Sequence, residues 1–149
     1  TLCYIDNGRQ TLMLHRIKKE NDMHKGKWNG LGGKFEDGES PEECVIREVR
    51  EESGLIIKEP VLKGIITFPA FDEIDDWMVF VFTSNQFKGS LTECDEGVLE
   101  WIGNENLSKL KMWEGDKIFM KWLKDTPFFS AKFMYERKKY VSHDVTFYK

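Results

Sequence analysis

The sequence contains no run approaching the roughly 18 apolar residues that a membrane-crossing helix needs, so no membrane partner is expected. It has only three cysteines, Cys3, Cys44 and Cys94, far apart and outside any CxxC or Cys/His cluster of zinc spacing. Neither a disulfide framework nor a structural zinc is called for, and the chain reads as reduced, intracellular and cytoplasmic. Positive charge is not in excess either: 22 basic against 26 acidic side chains leave a formal net charge of −4. Such a balance gives no electrostatic footprint for duplex nucleic acid. No repeat, low-complexity tract or linker interrupts the chain.

What is present suits one core. The 149 residues are 40% hydrophobic and include five Trp, four Tyr and eleven Phe, ample for packing and for stacking on a flat ligand. Residues 1–149 are therefore read as a single domain, as monomer or homodimer. The opening alternation around Asp6-Asn7-Gly8 predicts a hairpin, with Asn-Gly supplying positive φ angles. A polar loop follows over 18–27, and then Trp28-Asn29-Gly30-Leu31-Gly32-Gly33-Lys34 packs three glycines into seven positions. Backbone of that kind bends sharply or approaches something closely. Ser40-Pro41-Glu42-Glu43 combines a capping Ser, Pro at the first helical position and Glu at the third, and Gly54 closes the segment, which predicts a helix over 41–53. Residues 61–68, 77–85 and 97–102 read as strands, 117–124 as an amphipathic helix, and 128–136 with 140–149 as a closing hairpin about Arg137-Lys138-Lys139. The sum is a mixed α/β domain with a strand-built centre.

The helix at 41–53 carries the chemistry. Positions i, i+3 and i+4 are neighbours, so Glu48, Glu51 and Glu52 form one carboxylate patch, while Val45, Ile46 and Val49 face the other way. A Glu-rich helix face is ordinarily a solvated one. Here no lysine is interleaved to relieve the like charges, and a hard divalent cation would turn their repulsion into a site. Lys34 in the preceding turn adds a positive charge for a phosphate, which together describes metal-assisted phosphoryl chemistry.

Residues 33–55, GKFEDGESPEECVIREVREESGL, match the Nudix box at Gly33, Glu39, Arg47, Glu48, Val49, Glu51, Glu52, Gly54 and Leu55. The chain resembles the Nudix family, and especially its MutT-type 8-oxo-dGTP diphosphatases, through KWNGLGGK before the box, KGIITFP after it, Cys94-Asp95-Glu96, Trp113-Glu114-Gly115-Asp116 and PFFSAKF. The resemblance implies an α/β/α sandwich around a central mixed β-sheet. It implies Mg²⁺ dependence, with Mn²⁺ as the substitute, and hydrolysis of a small-molecule nucleoside triphosphate to the monophosphate and pyrophosphate. The nucleotide it implies first is 8-oxo-dGTP or a related oxidised purine nucleotide.

Carried over residue by residue, the resemblance makes Glu48, Glu51, Glu52 and Glu96 the metal-ligating carboxylates and the Gly32 carbonyl a backbone ligand. Arg47 orients Glu48, the general base is Glu48 or Glu96, and Lys34 contacts the phosphates. Asn29, Phe68, Trp77, Trp113 and Asp116 surround the purine, where aromatic faces stack and amide or carboxyl groups read the base edge. Phe68 and Trp77 lie in strand-like runs and are equally readable as core. Mammalian members carry two adjacent aspartates where this chain has Gly115-Asp116, so Asp116 acts alone. Pro69 lies near the marker proline of Nudix proteins that hydrolyse ADP-ribose, which keeps that substrate as the alternative, alongside a nucleotide-binding regulator without turnover.

Overall fold

The computed structural model describes residues 1–149. In chain order its elements are β1 (Leu2–Asp6), β2 (Gln10–His15), β3 (Trp28–Asn29), α1 (Pro41–Ser53), β4 (Ile56–Lys58), β5 (Val61–Phe68), β6 (Trp77–Ser84), β7 (Gln86–Lys88), β8 (Val98–Gly103), α2 (Glu114–Phe119), α3 (Trp122–Asp125), β9 (Phe128–Glu136) and β10 (Lys139–Tyr148). A short 3₁₀ turn, Asn104–Lys109, follows β8. The chain forms two compact units, Thr1–Val61 with Phe82–Met112, and Leu62–Val81 with Trp113–Lys149.

In the first unit β2 is the organising strand. It pairs antiparallel with β1, Ile5 facing Leu12, with β8, Leu14 facing Leu99, and with β3, Leu14 facing Asn29. Its Leu12, Met13 and Leu14 are fully buried, each worth about 1.5–3 kcal/mol relative to exposure. The hairpin at Asp6-Asn7-Gly8 forms, but only Gly8 takes a positive φ, 101°. Asn7 instead uses its side chain, its Oδ1 accepting from the Arg9 and Gln10 N–H groups, an Asx turn that needs no left-handed Asn.

Helix α1 forms where the capping residues place it. Ser40 Oγ accepts from Glu43 N–H at 3.1 Å and Glu43 Oε1 accepts from Ser40 N–H at 3.0 Å. At the other end Gly54 has φ 81°, and its N–H reaches the Arg50 carbonyl. That left-handed cap favours glycine, which has no Cβ to collide. The buried face is Cys44, Val45, Val49, Glu52 and Ser53. One carboxylate of the acidic patch therefore lies inside rather than on a solvated surface.

In the second unit β9 pairs antiparallel with β10 and parallel with β5, so the strands are mixed in direction. Phe129, Ala131, Phe133 and Tyr135 alternate inward along β9, the period of a strand with one covered face. Arg137 and Lys138 turn the hairpin at φ 50° and 67°, and Lys139 already belongs to β10. The single helix expected over 117–124 is instead two short ones, α2 and α3. At the break, Lys121 N–H bonds to the Ile118 carbonyl and Leu123 N–H to that of Met120, i−3 contacts that tighten the coil. The short strands β3, β4 and β7 were not expected, since two or three residues carry no readable period.

Candidate active site

The acidic residues of α1 are organised by one guanidinium. Arg47 Nε donates to Glu39 Oε2 at 2.7 Å and one terminal nitrogen donates to Glu39 Oε1 at 2.9 Å. The other terminal nitrogen reaches Glu48 Oε1 at 2.8 Å and Glu51 Oε2 at 3.1 Å. The Lys34 carbonyl also accepts from Arg47, at 2.9 Å, which ties the glycine-rich turn to the helix. These bonds hold the Glu39 carboxyl down at about pKa 2, with the Arg47 hydrogen bonds the leading cause, and raise the Arg47 guanidinium further. Arg47 supplies the relief that no lysine provides.

The turn's glycines serve the carboxylates directly. Gly32 N–H donates to Glu52 Oε1 at 2.7 Å. A Cβ on Gly33 would overlap the Glu48 carboxylate, so a side chain there would push Glu48 away. The Lys34 side chain is exposed.

Glu52 is 9% exposed. Its carboxyl is raised well above the usual range, by burial first and then by the charges of Glu96 and Glu48 and a hydrogen bond with Glu96, while the Gly32 N–H works the other way. Glu96 arrives from outside the helix. The bend just before β8 carries it, tied down by Lys18 N–H to its carbonyl at 3.2 Å and by Gly97, whose hydrogen faces the His15 carbonyl too closely for any Cβ. Arg16 and Lys19 lie 3.5 and 3.7 Å from its carboxylate. Neither basic residue is marked by period or spacing, so sequence reasoning missed both.

Glu48, Glu51, Glu52, Glu96 and Gly32 thus belong to one unit, with Arg47 and Lys34 beside them. As placed, no three His, Cys, Asp or Glu side chains close on a metal-sized point, and the carboxylate oxygens face Arg47, Arg16, Lys19 and the Gly32 N–H. The donor chemistry of these carboxylates nonetheless fits a hard cation: they offer oxygen ligands, and one of them is a buried acid crowded by two others.

Asn29 is in the same unit, at the end of β3, and its Oδ1 is buried with no hydrogen-bond partner. An orphaned carbonyl of this kind costs about 1–3 kcal/mol unless a donor reaches it. Phe68, Trp77, Trp113 and Asp116 belong to the second unit. Phe71, which sequence reasoning did not single out, joins them: its ring is 5.3 Å from Phe68, 5.0 Å from Trp77 and 4.9 Å from Trp113. Trp77 is half-buried and its indole N–H donates to Asp72 Oδ2 at 3.3 Å. Phe68 is 8% exposed and packs on Phe133 and Tyr135 as well. Asp116 is buried, which lifts its carboxyl to about pKa 7.

Known proteins share this chain's sequence pattern and fold. The NUDIX domain model matches residues 1–123. The chain belongs to the Nudix family. This Nudix chain is 33% identical to a MutT protein of Bacillus halodurans whose crystal structure superposes with TM-score 0.86, covering 97% of this chain and 94% of that one. The α/β sandwich with a mixed sheet expected from the sequence is borne out by that likeness, and the chain is a hydrolase of the MutT type. The oxidized purine nucleoside triphosphate hydrolase of Danio rerio is 31% identical over 127 residues, 85% of this chain and 78% of the relative. The ADP-ribose pyrophosphatase of Methanocaldococcus jannaschii is 36% identical over 110 residues, 71% of this chain and 64% of the relative. Nudix hydrolases use divalent metals and act on small nucleotide substrates. No helix of this one is long and apolar enough to cross a membrane.

Proposed function

We propose that this Nudix hydrolase is a Mg²⁺-dependent nucleoside triphosphate pyrophosphohydrolase, acting on 8-oxo-dGTP or a related oxidised purine nucleotide and releasing the monophosphate and pyrophosphate. The observation that carries the reading is buried Glu52, held by the Gly32 N–H and crowded by Glu48 and Glu96. The crowding has a purpose if a cation is to be gripped there. Glu48, Glu51, Glu52 and Glu96 with the Gly32 carbonyl would hold Mg²⁺, or Mn²⁺ in its place, and that ion supplies charge neutralisation and an acidified water.

The protein's own groups do the rest. Arg47, locked by Glu39, fixes the direction of the Glu48 carboxylate. Glu48 or Glu96 takes the proton of the attacking water, and Lys34 meets the phosphate charge. In the second unit the rings that would stack on a purine are half-buried Trp77 and Trp113, the latter 4% exposed, with Phe71 packed against both and Phe68 against Phe71. In that same unit Asp116 supplies a hydrogen-bonding group for the base edge, and in the first unit the Asn29 Oδ1 is a buried acceptor that a ligand donor would satisfy. All 149 residues serve as a single Nudix domain, working in a reducing cytoplasm where Cys3, Cys44 and Cys94 stay free.

The test is pyrophosphate release by Glu52→Gln beside the unaltered protein, in Mg²⁺, with circular dichroism as the check on folding. Turnover should fall by about 10²–10³-fold, the range for losing one fixed electrostatic group. Near-normal turnover by a folded Glu52→Gln protein contradicts the assignment. A second reading, ADP-ribose hydrolysis, has the archaeal relative and Pro69 behind it. It predicts AMP and ribose phosphate as products.

A further inference from the structure

Helix α2 begins with an unusual N-cap. Trp113 holds that position at φ −58° and ψ 140°, and no side-chain hydrogen bond caps the helix locally. The first turn of any helix leaves N–H groups without intrahelical partners, and Ser, Thr, Asp or Asn usually satisfies one of them from the cap position. An indole has no oxygen to offer. The acceptor comes from another element: the Tyr135 hydroxyl, on β9, accepts from the Gly115 N–H at 2.7 Å in a buried setting.

The fit around Gly115 is close. A Cβ built there would lie 2.7 Å from the Tyr135 Oη and 2.9 Å from the Phe133 ring, nearer than real side chains come. Position 115 is therefore glycine because the phenol stands where a side chain would be, and the turn is pressed onto β9. Tyr135 also meets Trp113 edge to face at 5.6 Å, so one residue touches both the helix cap and the ring that occupies it. Asp116 follows at the next position and is buried.

We propose that Tyr135 is the positioning residue of the base site: by capping α2 from outside, it lets an aromatic ring stand at the N-cap and sets Trp113 and Asp116 together as one recognition turn. The inference rests on the reading of Trp113 and Asp116 as base-contacting groups. Tyr135 need not touch the nucleotide. Its effect falls on how tightly a purine is held, while the carboxylates of α1 keep their geometry.

The test compares Tyr135→Phe with Asp116→Asn and with Tyr140→Phe, which keeps the ring beside Tyr135 and removes another phenol hydroxyl, the partner of His143 Nδ1 at 2.7 Å rather than of Gly115. Hydrolysis of 8-oxo-dGTP and of dCTP is measured with Mg²⁺ at about 10 °C, each variant having native circular dichroism. Tyr135→Phe should raise KM for 8-oxo-dGTP roughly fivefold, the scale of one hydrogen bond, with kcat within about twofold and kcat/KM for dCTP unchanged. Asp116→Asn should raise the same KM, and Tyr140→Phe should change neither parameter. Normal KM in Tyr135→Phe beside a raised KM in Asp116→Asn overturns the positioning role and leaves the base reading standing. Normal KM in Asp116→Asn overturns the base reading and the inference with it. Equal loss of kcat on both nucleotides in Tyr135→Phe marks general damage and also overturns it. Should Tyr135→Phe fail to fold, Gly115→Ala decides: it keeps the hydroxyl but displaces the turn, so it should give the same raised KM, and a normal KM contradicts the proposal.

Discussion

Arg47 and Glu39 form a two-pronged ion pair, Nε to Oε2 at 2.7 Å and a terminal nitrogen to Oε1 at 2.9 Å, across eight residues of sequence. The bond spans the loop that enters α1 and the middle of that helix. Arg47 spends its remaining donors on Glu48, Glu51 and the Lys34 carbonyl. Glu39 is thus the anchor of the residue that orients the carboxylates, although it projects none of its own chemistry into the site.

Glu39→Gln should lower kcat by about 10–100-fold, as loss of a group supporting metal ligands does, with little change in secondary structure. Steady-state kinetics and circular dichroism check this. The pH dependence has a definite sign. Glu39 is depressed from 4.5 to about 2, so the pair's contribution is fully present above pH 4.5 and is lost only as pH falls through about 2. An acid limb of the rate profile between pH 5 and 7 must come from another group.

Gly33→Ala should cost more than about tenfold in kcat/KM while the protein stays folded. The added methyl takes the space of the Glu48 carboxylate, and a misplaced catalytic group of about 1 Å is enough for such a loss. A wild-type rate in this variant would show that Glu48 is free to move without consequence.

Asp116 predicts how stability varies with pH. Its carboxyl is raised from 3.8 to about 7 by burial, so between those values the native state holds a proton that the unfolded chain has lost. Stability should therefore fall as pH rises from about 4 to 7 and level off above, by on the order of 2–4 kcal/mol from this group. Asp116→Asn should flatten that slope in urea unfolding series across the same range. An unchanged slope contradicts the buried acid.

Ser40→Ala should lower stability by about 1 kcal/mol, since it removes one half of the box that starts α1, and leave kcat unchanged. Thermal unfolding and kinetics separate the two readouts. Loss of activity in a folded Ser40→Ala would mean the helix start communicates with the carboxylates.

Much of this was legible in the sequence for physical reasons. Ser40, Pro41, Glu43 and Gly54 are local signals that act within one turn, and α1 has the bounds they imply. The alternation of β9 and the Arg137-Lys138 turn were likewise local. The length of α2 was not, because its start depends on a hydroxyl from β9, about twenty residues along the chain. Arg16 and Lys19 meet Glu96 only through the pairing of β2 with β8, and Phe71 joins Phe68, Trp77 and Trp113 only once its loop is folded. Glu52 was readable as a carboxylate of the box, but its burial was not, since helical spacing alone put it on the acidic face.

The central claim is the substrate, and the most direct measurement is kcat/KM for pyrophosphate release from 8-oxo-dGTP, dGTP and dATP, and for hydrolysis of ADP-ribose, under identical Mg²⁺ conditions. A clear preference for 8-oxo-dGTP, at least about tenfold over dGTP, is the predicted result and fits the 1–2 hydrogen bonds that a base edge can add. A flat profile, or one led by ADP-ribose, would contradict it while leaving the Nudix chemistry of the α1 carboxylates in place.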